Sequence, residues 1–103
     1  MAEPILVTGV IDLDPAQRDG FIAACQELMA ATHQEDGCEH YCFAADLSDP
    51  GRFHLSERWA SKPQMDAHMG SAHLATFMGA MGNFGVRGAS LTQWTGATGT
   101  TLM

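Results

Sequence analysis

Phe53-His54-Leu55-Ser56-Glu57-Arg58-Trp59-Ala60-Ser61-Lys62 alternates in character and then runs into Ser61-Lys62-Pro63, a helix start. On a strand of period 2, Phe53, Leu55, Glu57 and Trp59 share one face, which is apolar except for Glu57. An ionised carboxylate in a dry core is costly or takes up a proton, so Glu57 implies a polar partner or a ligand cavity. N-terminal to this strand, Leu47-Ser48-Asp49-Pro50-Gly51 reads as a turn and Cys38 to Asp46 as a second strand, making the two a hairpin. With Asp46 opposite Arg52, the expected partners are Ala45 with Phe53, Phe43 with Leu55, Tyr41 with Glu57 and Glu39 with Trp59. A slip of one residue would reshuffle them. His40, Cys42, His54, Ser56 and Arg58 fall on the other face.

Further out, Ile5 to Ile11 is β-branched and apolar, enough for one strand, and ends at Asp12-Leu13-Asp14-Pro15. Asp14 suits a helix N-cap, Pro15 the first helical position and Gln17 a capping box. Phe21, Ile22, Cys25, Leu28, Met29 and Thr32 then form a helical stripe, with Gly37 as a left-handed cap. On the C-terminal side, Ser61 with Gln64 is a second capping-box candidate, and Gly70-Ser71 reads as a stop followed by a fresh cap. The pattern predicts a short helix over 63–69, a longer one from 72 to about 82, a loop from Gly82 to Gly88 and a strand from Ala89 to Thr95. Leu74, Phe77, Met78, Met81 and Phe84 form its apolar stripe, and Met69, Met78 and Met81 read as core. Residues 96–103 form a polar tail.

The resulting order, β-α-β-β-α-β, is that of an α+β ferredoxin-like domain: one antiparallel four-stranded sheet with helices on one side, in a single domain over residues 1–103. Ile5, Val7 and Ile11 want burial on one face, and Leu6 and Val10 on the other. Two helices cover only one face, so a second copy is expected on the other, burying roughly 800 Å² per partner in a homodimer. A cavity between sheet and helices in each subunit is a further expectation.

A net charge of −7 with five Lys and Arg and no basic stripe argues against nucleic acid as a partner. Cys25, Cys38 and Cys42 are an odd number in no paired pattern, and Cys38-x-x-x-Cys42 lacks the second pair of a zinc site, so they read as reduced thiols. No apolar run approaches the ~20 residues of a membrane span, and the N-terminus lacks signal-peptide order, so a cytoplasmic location without membrane partners is the default expectation. Gly79, Gly82 and Gly85 follow a helix rather than a strand and make no nucleotide fingerprint.

Asp36-Gly37-Cys38 with Tyr41, Asp46 with Asp49-Pro50 and Phe53, Glu57-x-Trp59, and His68 with Ser71-x-His73 and Phe77 together resemble the antibiotic biosynthesis monooxygenase family. The likeness covers nearly the whole chain. It implies a dimeric α+β barrel and, for several members, cofactor-independent oxygenation of phenolic, quinol or anthrone-like compounds; fold does not by itself fix reaction. Haem-degrading enzymes of the same superfamily use a histidine on the second long helix. Here that stretch reads Leu74-Ala75-Thr76-Phe77-Met78-Gly79-Ala80, without one, so no haem or other cofactor is expected.

His68 and His73 are five apart, about 140° around a straight helix, and could not chelate one metal unless the Gly70-Ser71 break brings them together. With no third ligand evident, no metal is expected. Either histidine suits a proton acceptor, since an unperturbed imidazole titrates near neutrality. Glu57 is either a structural acid tied to Tyr41, a histidine or a backbone amide, or a catalytic group polarising a substrate hydroxyl. Trp59 and Tyr41, with Leu55 and Phe77, are packing residues that would also wall a flat aromatic substrate. The expected function is therefore a monooxygenase joining dioxygen to a small aromatic hydroxy compound, with His68, His73 and Glu57 as its candidate catalytic groups. The rivals are a non-catalytic small-molecule-binding or stress-response dimer, and a proton-transfer enzyme such as an isomerase.

Overall fold

The computed structural model describes residues 3–103. Its elements are β1 (Ile5–Leu13), a 3-10 turn (Pro15–Gln17), α1 (Arg18–Thr32), β2 (Cys38–Ala45), β3 (Arg52–Trp59), α2 (Lys62–Met69), α3 (Ala72–Ala80), a second 3-10 turn (Met81–Asn83) and β4 (Val86–Thr95). The strands lie in the order β2-β3-β1-β4, all neighbours antiparallel. This is the ferredoxin-like α+β arrangement. No helix among the described residues is long and apolar enough to cross a membrane.

Alternation along β1 and β3 builds the core. Ile5, Val7, Ile11 and Leu13 face inward beside Phe53, Leu55 and Trp59, and Phe21, Cys25, Leu28 and Thr32 of α1 close over them. Phe21 is the hub, its ring centroid 4.8 to 6.0 Å from those of Phe43, Phe53, Phe77 and Phe84. Gly9 lets β4 approach, because a Cβ there would sit 2.7 Å from the carbonyl oxygen of Ser90.

Several local expectations need correction. Asp14 accepts from the Ala16 amide at 3.0 Å, and the chain tightens into a 3-10 turn; Gln17, the N-cap of α1, makes no side-chain cap bond, so there is no capping box. Ser61 likewise makes no side-chain bond to a helix amide and donates instead to Gln64 Oε1 at 3.0 Å. α1 ends at Thr32, and Gly37 (φ 80°) is the pivot into β2, its carbonyl accepting from Ala60 N at 2.9 Å. In the hairpin, Ala45, Phe43 and Tyr41 face Phe53, Leu55 and Glu57 as expected, but a bulge between Cys38 and His40 puts Cys38 opposite Trp59. The extra residue is Glu39, whose carboxylate accepts from Arg58 Nε at 2.9 Å. Met69 and Met78 are exposed: Met65 and His68 are the residues α2 buries, and Phe77, with Leu74 beside it, fills the inward side of α3. β4 begins at Val86, three residues early, and all ten of its residues are exposed, Leu91 and Trp94 included.

Candidate functional site

The break between α2 and α3 is built by one hydroxyl. Ser71 Oγ donates to the His68 carbonyl at 2.7 Å and accepts from Leu74 N at 3.3 Å, ending one helix and capping the next. His68 in the last turn of α2 and His73 in the first turn of α3 thereby meet, ring centroids 6.0 Å apart. The turn that follows α1 is pinned from two sides: His33 Nε2 to the Tyr41 carbonyl at 2.8 Å, and Gln64 Nε2 donating to Asp36 Oδ2 at 3.1 Å. That turn delivers Glu35 between the imidazoles. Glu35 Oε2 lies 2.6 Å from His68 Nδ1 and 2.9 Å from His73 Nε2. An ionised carboxylate only accepts, so both of those nitrogens carry hydrogen, which leaves His68 Nε2 and His73 Nδ1 with the lone pairs in the neutral rings.

Behind the histidines the structure is packed. His68, 1% exposed, lies against Trp59, 0% exposed, at 4.8 Å and 33°, with Tyr41 edge-on at 5.1 Å. Trp59 Nε1 donates to Glu57 Oε1 at 2.8 Å. Burial pushes the Glu57 carboxyl above its ordinary range, while the indole bond and His68 pull it back. Burial and Glu57 push the Tyr41 phenol further up, so it stays protonated. Burial first, then Glu35 and Glu57, raises the Cys38 thiol, and burial lifts Cys25 to about 12. Neither cysteine is set up as a thiolate nucleophile.

His73 is the open end of this chain of contacts. Its side chain is 28% exposed and borders a hollow of about 220 Å³ between α1 and α3, lined also by Ala24, Glu27, Leu28, Thr76, Phe77 and Ala80. Of the residues singled out by sequence, His68 and His73 converge, and Phe77 joins His73 at the hollow. Glu57 is bonded to Trp59 rather than to either histidine, Tyr41 and Trp59 form the closed wall behind His68, and Leu55 is buried in the core. A larger groove, about 640 Å³, lies on the outer sheet face among Leu6, Thr8, Glu39, His40, Ser56 and Arg58, away from the histidine pair. Glu35 was not a sequence candidate. It sits in a polar turn with no periodicity, and its partners lie 33 and 38 residues away.

Residues 4–80 match the profile of the family described as antibiotic biosynthesis monooxygenase. The chain is 29% identical over 76 residues to an uncharacterised protein of Synechocystis, covering 74% of this chain and 52% of the relative, so it spans about half that relative's length. It is 28% identical over 92 residues to a Mycobacterium tuberculosis protein provisionally named a monooxygenase, covering 89% of this chain and 90% of that one. The solved structure of that mycobacterial protein superposes with a TM-score of 0.82 at 26% identity, over 97% of this chain and 99% of its own. A solved structure from Deinococcus radiodurans, provisionally named an antibiotic biosynthesis monooxygenase, gives a TM-score of 0.88 at 23% identity over 96% and 98% of the two chains.

Proposed function

The chain belongs to the antibiotic biosynthesis monooxygenase family, and on that premise we propose that it is a cofactor-independent monooxygenase acting on a single-ring aromatic hydroxy compound of quinol type. The observation that carries this reading is the Glu35–His73 pair opening onto a hollow whose lining is apolar except for Glu27 and Thr76. Glu35 fixes the tautomer and orientation of His73, whose remaining nitrogen takes a proton from the substrate. The resulting carbanion-like enolate bonds to dioxygen through a ring carbon that still bears hydrogen. Loss of that hydrogen with cleavage of the O–O bond gives a carbonyl, and the departing oxygen leaves as water, so the substrate supplies both electrons. The size of the hollow favours one ring over three: a cavity of about 150 Å³ holds benzene, and here about 220 Å³ is open.

A homodimer belongs to this reading. β4 lies exposed at the sheet edge, and Leu6 and Val10 are half-buried on the face without helices. A second copy seated there would cover both. Sedimentation at micromolar concentration is expected to give twice the chain mass; a monodisperse single chain would remove the dimer.

The activity is tested with chelator-treated protein, a substituted benzoquinol and an oxygen electrode. Oxygen uptake is expected, slowed at least about tenfold in His73→Ala. Equal uptake in the variant would remove the histidine from the mechanism. A melting-temperature rise on adding quinol, without uptake, would favour the ligand-binding alternative.

A further inference from the structure

We propose that Glu35, His68 and His73 form a binding site for a divalent first-row transition-metal ion of the Zn²⁺ or Fe²⁺ class. Each contributes one donor atom, a carboxylate oxygen and two imidazole nitrogens, and the three atoms lie within 4.8 Å of one another. Metal–ligand distances near 2.1 Å place neighbouring donors about 3.4 Å apart in a tetrahedral site and about 3.0 Å apart in an octahedral one. Glu35 Oε2 stands 2.6 and 2.9 Å from the two nitrogens, so an ion in place of the two bridging hydrogens requires those contacts to open by less than about 1 Å.

The donors come from three segments that are separately fixed. Glu35 is in the pinned turn after α1, His68 is clamped against Trp59 and Tyr41, and His73 is set by the Ser71 cap. Such outer support is what orients metal ligands. The ion pairs of Glu35 among the described residues are with these two histidines, and no Lys or Arg neutralises it. Glu57, held by the indole of Trp59, adds a second acid behind His68. Two imidazoles and one carboxylate suit zinc or ferrous iron, whereas magnesium and calcium require oxygen ligands throughout. The exposed side of His73 gives the ion a way in and leaves coordination positions for water or a substrate oxygen.

This site stands apart from the oxygenase reading and limits it, because an ion on His73 Nε2 moves that ring's hydrogen to Nδ1, the nitrogen that must otherwise take the substrate proton. Chelator-stripped protein titrated with Co²⁺ is expected to bind one ion per chain and develop visible d–d absorption, and Zn²⁺ to compete for it. Glu35→Gln and His73→Gln should each weaken binding by at least about a hundredfold, while His54→Ala, bonded to Asp46 on the outer face, should not. Retained melting transitions in both variants would separate lost ligation from lost fold. Failure to bind at high micromolar metal, or binding that survives in both variants, overturns the site. Oxygen uptake read in parallel distinguishes the two proposals: suppression by Zn²⁺ fits both, whereas uptake that rises with metal keeps the site and removes the cofactor-independent mechanism.

Discussion

Trp59→Ala is expected to lower stability by about 3–5 kcal/mol, the range for truncating a buried large aromatic. Domains of ordinary stability hold about 5–15 kcal/mol in all, so the variant should be largely unfolded in mild urea. The effect is large because Trp59 is fully buried, supports His68 and donates to Glu57. Trp59→Phe separates these contributions. It keeps a ring but removes the indole N–H, leaving a buried carboxylate short of a donor at a cost of about 1–3 kcal/mol.

That second cost depends on pH, with a definite sign. Glu57 has its folded pKa raised above the ordinary 4.5. Below 4.5 the carboxyl is protonated in both states and its contribution is complete. As pH rises the unfolded chain releases the proton first, the native state holds more protons, and stability falls until the folded carboxyl also ionises. The indole bond opposes the raised pKa, so its loss carries that fall to higher pH. Urea midpoints of wild type and Trp59→Phe should therefore differ more at pH 7 than at pH 4, with unchanged slopes. An equal gap at both values would mean that the indole–carboxylate bond contributes nothing to folding.

Period and punctuation made the sheet readable, because both are local. The alternation from Phe53 to Trp59 is a property of consecutive residues, and Ser71 caps α3 through an amide three positions on. The bulge at Glu39 is different in kind: it is settled by a partner on β3, Arg58, and by the bond from Ala60 to Gly37. Adjacent apolar residues on a helix mislead for a similar reason. Phe77 and Met78 both extend a stripe, but only Phe77 has aromatic neighbours inside, Phe21 and Phe43. Two of the three donors in the site were legible because the Gly70-Ser71 break marks where histidines five apart can turn toward each other. The carboxylate that joins them was not, since no local rule connects the turn after α1 to the helices that follow β3.

Glu35→Ala should damage function as well as stability, with oxygen uptake falling at least about tenfold, as in His73→Ala. It releases His73 from a fixed tautomer and orientation, and it leaves His68 Nδ1–H buried without its acceptor, at about 1–3 kcal/mol of stability. Glu35→Gln isolates the carboxylate's charge. An amide oxygen in the place of Oε2 can still accept from both imidazoles, but it is neutral, so the charge-assisted hold on the two rings and on their tautomers is lost. A folded Glu35→Gln protein is expected to lose most of kcat with KM nearly unchanged, because Glu35 stands behind His73 rather than against the hollow. A carboxylate that served only stability would give a different result: uptake per folded molecule would stay at the wild-type level in both variants, and the activity loss would follow the unfolded fraction in a melting curve.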